Sequence, residues 1–388
     1  MRIAILGLGA VGTAAARFLA RAGHEVIGFE QFHLDHDCGS SYGASRIIRR
    51  VYPDPLYAEL MDAAYPLWEE LERESGDDLL LRCGGFFFGP EDHPEMVATE
   101  RTLTAVGVPF QRWSAAEARC HLPPFRLDTH EYGIFEPESG LLRASRCVLA
   151  NARLAQDHSA ELREGARIAA LEPAADGIGV RVEGETLRFD CVIITAGPWT
   201  GALLAPWMRL RLTVTRQQYA HFGIIGERDA FAPDHFPVWI DMAELFYGFP
   251  EHDALPGVKV ARHVPGPVYD PDNLDREPRD EDNEVLRHYM ERRLPQASGP
   301  VTYSKVCLYT MTPDEDFIID RLPDEPRVIF IGGLSGHGFK FTVLLGQIAA
   351  RLAQDQEPGY DLRRFALSRF NGAALESPHW VSHPKCMR

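Results

Sequence analysis

The run from Arg2 to Glu30 constrains the fold more than any other part of the chain. Arg2 to Leu6 is a short apolar run, the length of a buried parallel strand. Gly7-Leu-Gly9-Ala-Val-Gly12 follows at once, and a helical stretch runs to about Ala22. Glu25 to Phe29 reads as a second strand, with Glu30 at its end. Strand, GxGxxG, helix, strand and acid together make a nucleotide-binding βαβ unit. Gly7 makes the tight turn, Gly9 lets backbone approach a pyrophosphate, and Gly12 lets helix and strand pack closely. Glu30 is placed to accept hydrogen bonds from a ribose diol. The unit predicts an ADP moiety and does not separate FAD from NAD. Met1-Arg2, the apolar run and Ala14-Ala15-Ala16 could pass for a signal peptide. The use found for the three glycines argues against that.

A matching junction stands near the other end. Val328 to Ile331 reads as a strand, Gly332 to Lys340 as a glycine-rich turn, and Phe341 to about Gln354 as a helix. His337 and Lys340 stand where turn becomes helix. Such a junction points backbone N–H groups and the positive helix end at whatever lies above it. A third strand, Cys191 to Ile194, runs into the small-residue turn Thr195-Ala-Gly197-Pro-Trp199. Two junctions fit a long cofactor, with the ADP pyrophosphate at one and a distant redox ring at the other. That favours FAD, since NAD folds manage with one.

Between these junctions the chain alternates. Leu56 to Glu74 is helical, with a kink expected at Pro66. Leu79 to Phe88 reads as one strand bent at Gly84-Gly85. Pro94 to Ala105 is a helix closed by Gly107, and Ser114-Ala-Ala-Glu117 is a capping box. Glu131 to Glu136 is a strand, Ala144 to Gln156 a helix, and Ala169 to Asp190 a three-stranded meander. From Leu210 to Thr310 strands dominate: Leu210–Thr215, Tyr219–Ile224, Pro237–Ile240, Leu245–Phe249, Val258–Arg262 and Val301–Tyr309. One helix, Glu281 to Leu294, interrupts them. The fold class is therefore α/β: a Rossmann-type FAD-binding domain with a second, mainly antiparallel β-sheet substrate domain. Residues 1–80, 145–208 and 318–388 are assigned to the first, and 81–144 and 209–317 to the second. The tail after Asn371 is expected to be loosely ordered.

Length and charge limit the partners. A chain of 388 residues suits two domains. Its net charge of -16 disfavours nucleic acid and anionic membrane. No apolar run is long enough to span a bilayer. The seven cysteines are scattered without CxxC spacing, which suggests a reduced, cytoplasmic protein. His33, Asp35, His36 and Asp37 are too crowded for one face and read as a polar turn, so no metal is expected. Ser45-Arg46-Ile-Ile-Arg49-Arg50 places Arg46 and Arg50 on one strand face and Arg49 on the other. From the residues alone, a surface basic strand is the favoured reading.

Taken together, these motifs resemble the monomeric sarcosine oxidase and N-methyltryptophan oxidase family of amine-oxidising flavoproteins. The resemblance runs from Arg2 to about Phe370. It is carried by Gly7 to Gly12 with Glu30, Ser45-Arg-Ile-Ile-Arg49, Phe246-Tyr-Gly-Phe-Pro250, Lys259 with His263, Cys307-Leu-Tyr309-Thr, Asp316-Phe-Ile-Ile-Asp320 and Ser335-Gly-His-Gly-Phe-Lys340. The last is the most specific. The resemblance implies FAD bonded covalently through Cys307, although a strand cysteine by itself reads as a buried inert thiol. It places Lys259 beside the flavin for reaction with oxygen, and Arg46 close to the ring. It gives Arg49 and Lys340 to the substrate carboxylate, a planar fork and a point charge. His263, Tyr247 and Tyr309 line the substrate pocket, with Lys259, His263 and Arg46 as the catalytic set. Ser45, Gly197, Gly336, Gly338 and Lys340 join Gly7, Gly9, Gly12 and Glu30 as cofactor contacts.

The activity so implied is oxidation of a secondary amine carrying a carboxylate, an N-methyl amino acid, to imine, formaldehyde and hydrogen peroxide. A small-molecule amine and oxygen are the partners, and a monomer is expected. A cyclic imino acid or a glycated amino acid is the alternative substrate. A flavin dehydrogenase with another acceptor is a further alternative, which Lys259 argues against. Tyr42, Arg50 and the loop Glu251 to Gly257, with His252 and Asp253, depart from the family pattern, and these changes are expected near the pocket.

Overall fold

The computed structural model describes residues 1–253 and 255–370. The tail after Asn371, and with it the end of the expected segment 318–388, lies outside the described residues. A six-stranded sheet runs in the order Ile318–Leu322, Glu325–Gly332, Cys191–Ile194, Arg2–Leu6, Glu25–Phe29, Glu161–Arg163. All neighbours are parallel except the first two. Alternate residues of Arg2–Leu6 serve opposite faces, as a pleated strand requires. Ile3 and Ile5 pack under the helices, and Ala4 and Leu6 pack under the meander Ile168–Ala174, Gly177–Val182, Glu185–Phe189.

This order positions the site. Glu325–Gly332, Cys191–Ile194 and Arg2–Leu6 are adjacent and parallel, so the turns that follow them leave the same sheet edge. Ligands of open α/β sheets bind at that carboxyl edge. The helices behind two of these turns, Ala10–Arg21 and Thr342–Ala353, pack side by side. A Cβ on Gly346 would fall 2.5 Å from the Ala14 Cβ, so their close approach needs a glycine there.

A second sheet of eight strands runs Val301–Met311, Thr213–Phe222, Val258–Arg262, Phe246–Phe249, Val238–Asp241, Gly85–Pro90, Glu131–Glu136, Gln111–Ser114. Only Val238–Asp241 and Gly85–Pro90 pair in parallel. The helix Asp280–Arg293 packs on this sheet, with Arg293 bonded to both Glu131 oxygens at 2.7 Å. A small sheet of Arg46–Ile48, Gly140–Leu142 and Leu80–Leu81 joins the halves.

Some expected elements change. Leu210–Thr215 and Tyr219–Ile224 are one strand, Thr213–Phe222, because ladders on both sides satisfy its backbone. Leu79–Phe88 divides at Gly84 (φ 76°), and its two parts enter different sheets. The helix Pro55–Ser75 runs through Pro66 as one element, capped by the Asp54 carboxylate at its start and by left-handed Gly76 at its end. The capping box at Ser114 and Glu117 forms as expected. Four short strands were not anticipated: Gln111–Ser114, Gly140–Leu142, Glu161–Arg163 and Ile318–Leu322. No helix among the described residues is long and apolar enough to cross a membrane.

Candidate active site

The nucleotide end is shaped by close contacts. Gly7 has φ 96°, and a Cβ there would lie 2.7 Å from the Ala196 Cα. A Cβ on Gly12 would lie 2.0 Å from the Gly7 carbonyl oxygen, so only glycine lets the helix start this close to the turn. Gly9 faces Ser41, whose Oγ accepts the Ala10 N–H at 3.0 Å. Thr195 Oγ1 donates to the Gly7 carbonyl at 2.7 Å and ties two of the three turns together. Glu30 is buried, and its oxygens accept the Leu8 N–H at 3.0 Å and the Phe32 N–H at 3.1 Å. An ionised carboxylate has about four acceptor sites, so capacity remains for a guest hydroxyl.

Gly7, Gly9, Glu30 and Gly197 line one cavity. A second cavity meets it along Gly9, Ser40, Ser41, Thr195 and Gly197. The second is lined in turn by Ser45, Arg46, Arg49, Tyr247, Lys259, His263, Cys307, Tyr309, Gly336, Gly338 and Lys340. Every anticipated site residue except Gly12 therefore faces one connected space. Gly12 acts from within the turn.

At the far end the backbone of Gly333, Ser335 and Gly336 is left-handed, with φ of 60°, 46° and 78°. Ser335 holds this turn to the large sheet. Its N–H donates to the Thr310 carbonyl at 3.0 Å, and its Oγ accepts the Thr312 N–H at 3.2 Å. A Cβ on Gly336 would meet the Tyr309 ring at 2.4 Å. A short 3-10 turn, Phe339–Phe341, precedes the α-helix, which begins at Thr342 rather than Phe341.

Four cations converge here. Arg46 donates to the carbonyls of Ser40, Tyr42 and Ser45 at 2.8 to 2.9 Å. Arg49 lies over the Tyr52 ring at 4.2 Å, and its buried Nη1 has no hydrogen-bond partner among the described residues. Lys259 donates to the Ser45 carbonyl and Oγ at 3.1 and 3.2 Å, between the rings of Tyr219 and Phe249. Lys340 donates to Tyr52 Oη at 2.9 Å and to the His337 carbonyl at 2.7 Å. Among the described residues none of the four has a carboxylate within 4 Å; their partners are neutral oxygens and aromatic faces. Burial, then the charge of Arg46, lowers Lys259 well below the ordinary lysine value. Burial, then Arg49, does the same to Lys340.

The neutral groups complete the wall. Tyr309 Oη lies 3.3 Å from His263 Nδ1 and 3.4 Å from Tyr247 Oη. Burial, with Arg49 and Lys340, depresses His263 to about 4. Burial pushes the Cys307 thiol up, while Arg46 and Lys259 pull it down.

The expected surface basic strand is overturned. The strand stops at Ile48, so Arg46 and Arg49 both reach the cavity, and Arg50 leaves to bond Asp62 at 2.5 Å. Of the departures expected near the pocket, Tyr42, Arg50, His252 and Asp253 do not line the cavity, but the Tyr42 carbonyl accepts from Arg46 at 2.8 Å and His252 stacks against Phe249 behind the wall. Thr195 was expected only as part of the small-residue turn after Cys191–Ile194, and Tyr52, Ser41 and Glu95 were not anticipated. Ser41 lay inside a polar glycine-rich stretch, and no spacing marked the others.

Comparison with known proteins decides the family. A match to the family described as FAD dependent oxidoreductase spans residues 2–352. The chain belongs to the FAD dependent oxidoreductase family. Monomeric sarcosine oxidase of Streptomyces avermitilis is 34% identical over 357 residues, covering 90% of this chain and 93% of that protein. N-methyl-L-tryptophan oxidase of Yersinia pestis is 31% identical over 374 residues, covering 94% and 98%. Among solved structures, NikD, described as an unusual amino acid oxidase, superposes with a TM-score of 0.84 at 25% identity, covering 94% of this chain and 96% of that one. This FAD dependent oxidoreductase offers what the cofactor needs. The glycine cradle suits a pyrophosphate, Glu30 suits a ribose, and the connected cavities suit a long, flat group ending among cations.

Proposed function

We propose that this chain is an oxidase of a secondary amine carrying a carboxylate, an N-methyl amino acid. The observation that carries the reading is the set of four cations without ion-pair partners around one cavity, in a chain of net charge -16. Cations held only by neutral oxygens and aromatic faces await anions. Bound FAD supplies a two-electron acceptor whose reduced form is anionic.

Gly7 to Gly12 and Glu30 would hold the nucleotide, and Arg46, Lys340 and the Gly336–Gly338 turn would face the redox ring. Cys307 lines the cavity and would form the covalent link to FAD. Arg49 takes the substrate carboxylate, with Lys340 adding charge. The same field favours the neutral amine over the ammonium, because nearby like charge disfavours a cation. A neutral amine has the lone pair that oxidation to an imine requires. Tyr247, Tyr309 and neutral His263 line the pocket around it. Lys259 stands where negative charge develops on oxygen. The overall reaction consumes the N-methyl amine, oxygen and water and yields the primary amine, formaldehyde and hydrogen peroxide.

The family relatives with 93% and 98% coverage support this substrate class. The discontinuous division at about residues 80, 145, 208 and 318 fits a cofactor unit covered by a substrate sheet. Scattered cysteines fit a cytoplasmic setting. A peroxide-release screen over N-methyl, cyclic and glycated amino acids tests the reading. Peroxide with equimolar formaldehyde from an N-methyl amino acid is expected. Peroxide only from a cyclic or glycated amino acid would replace the substrate. Turnover only with an artificial acceptor would replace the oxidase.

A further inference from the structure

Two histidines beside Lys259 have no role in the chemistry above. His221 is 1% exposed and His252 5% exposed. None of their four ring nitrogens makes a well-formed hydrogen bond among the described residues, although the Gly257 backbone lies near the His221 ring. Buried polar atoms are normally partnered, by protein or by ordered water. His221 sits directly across from Lys259 in the antiparallel pair Thr213–Phe222 and Val258–Arg262, and Phe249 sits across from Lys259 on its other side. Directly opposed residues project to one face. The His252 ring is stacked 6.4 Å from Phe249. His221, Lys259, Phe249 and His252 therefore form one block.

This block connects outward. Next to His252, the Asp253 carboxylate accepts Arg143 Nε at 3.0 Å, and Arg143 Nη1 bonds Asp78 at 2.8 Å. The Asp78 side chain is 67% exposed, so polar groups lead from solvent to the inner wall. Charged and titratable groups facing His252 are Asp253, Glu251, Arg143 and Lys259. Those facing His221 are Lys259, His252, Tyr303 and Tyr219. Burial and the charge of Lys259 hold His221 at about 3; burial, with Lys259 and Arg143 partly opposed by Asp253, holds His252 at about 4. Both rings are then neutral near pH 7, and a neutral imidazole carries one N–H and one bare nitrogen.

We propose that His252 and His221, bridged by water, form a path that carries a proton from solvent to Lys259 during reaction with oxygen. The proposal rests on the reading of Lys259 as the oxygen site. Oxygen becomes hydrogen peroxide by taking two electrons and two protons. A flavin reduced to its anion would supply two electrons and one proton, so the second proton has to come from solvent. Lys259 gives its proton and regains it from His221, which regains one from His252. Each ring accepts at its bare nitrogen and releases from the other, so its charge is restored and it ends as the opposite tautomer, which a ring flip or proton exchange with the bridging water resets. Apart from Ser45, Lys259 is flanked by the rings of Tyr219 and Phe249, which relay no proton.

The test uses the FAD-loaded protein, reduced without oxygen and then mixed with it in stopped flow. His221→Phe and His252→Phe should each slow reoxidation on the order of tenfold or more, as loss of a proton-transfer group does. The solvent deuterium effect on that step should rise, and small buffers such as imidazole should restore part of the rate. His252→Gln controls for lost polarity, and substrate reduction of the cofactor is the internal reference for folding. In histidine-labelled protein, NMR should show both imidazole N–H groups exchanging with bulk water. N–H signals that persist after transfer to D2O would show a dry pair and overturn the path. So would normal reoxidation in both phenylalanine variants while Lys259→Met is slow. Normal reoxidation in Lys259→Met would remove the oxygen-site reading itself.

Discussion

Arg49 offers the sharpest test of the carboxylate site. Its Nη1 is buried and unpartnered, and its guanidinium is held by the faces of Tyr52 at 4.2 Å and Phe87 at 5.6 Å. Arg49→Met keeps an apolar side chain in that slot and removes the charged fork. A hydrogen bond to a charged group contributes ~1.5–3 kcal/mol, or about 10- to 150-fold in affinity. One compensation pulls toward the lower end. Arg49 is the charge that lowers Lys340 beyond the effect of burial, so its removal leaves Lys340 more fully protonated. Lys340 then supplies part of the missing attraction. Titration of the flavin absorbance with propionate measures the loss, and propionamide, uncharged and of similar shape, serves as reference. Arg49→Met should cut the preference for propionate over the amide by about tenfold, the lower end of that range. An unchanged preference would refute the assignment. A larger loss in Lys340→Met than in Arg49→Met would move the site to the lysine.

Three further outcomes are expected. Colour should stay with the polypeptide after acid precipitation and leave it in Cys307→Ser; free FAD from the unaltered protein would end the covalent assignment. Gly12→Ala should strip the protein of FAD, since its Cβ would fall 2.0 Å from the Gly7 carbonyl oxygen; the ratio of flavin to protein absorbance measures this. His221 and His252, at about 3 and about 4 folded against 6.5 unfolded, make the unfolded chain the better proton binder below pH 6.5. Their contribution is whole above that pH and is lost as pH falls toward the folded values, by ~1.4 kcal/mol per pH unit for each ring. Urea midpoints measured down to about pH 5 should fall, and phenylalanine at both positions should flatten the slope.

The parts of this molecule legible in the sequence are those where backbone geometry restricts the residue. Arg2–Leu6, Glu25–Phe29, Glu131–Glu136, Cys191–Ile194 and Val258–Arg262 have the expected bounds. They are apolar runs closed by glycine or polar residues. The Gly7 and Gly336 turns were visible because no Cβ fits there. The continuity of Thr213–Phe222 was hidden by Arg216-Gln-Gln218, which looks like a break. Tertiary partners support those residues: Arg216 pairs with Asp282 at 2.8 Å, and Gln218 bonds Asn283 at 2.8 Å. The convergence of Arg46 and Arg49 was hidden for a different reason. Alternation places them on opposite faces, and only the end of the strand at Ile48 brings both to the cavity. Tyr52, which bonds Lys340 and underlies Arg49, has no signature, because its partner is 288 residues away.

The placement of Lys340 follows from the same electrostatics. In the protein alone its ammonium is opposed by burial and by Arg49, and its hydrogen bonds go to the Tyr52 hydroxyl and the His337 carbonyl. Those two acceptors fix the position of the nitrogen without neutralising it. Any anion entering the cavity raises the lysine's affinity for a proton. With the proposed placement, a carboxylate at Arg49 and an anionic ring against the Gly336–Gly338 turn would act on one proton. Each makes the charged lysine more favourable, and each is held more tightly once the lysine is charged. On that placement, binding a carboxylate and accepting electrons would be coupled through proton uptake at a single residue. A carboxylate ligand should then bind with uptake of a fraction of a proton near the Lys340 value, and that proton should offset the lowering of the flavin potential by the ligand's own negative charge. Lys340→Met should remove both effects, leaving the direct contribution of Arg49.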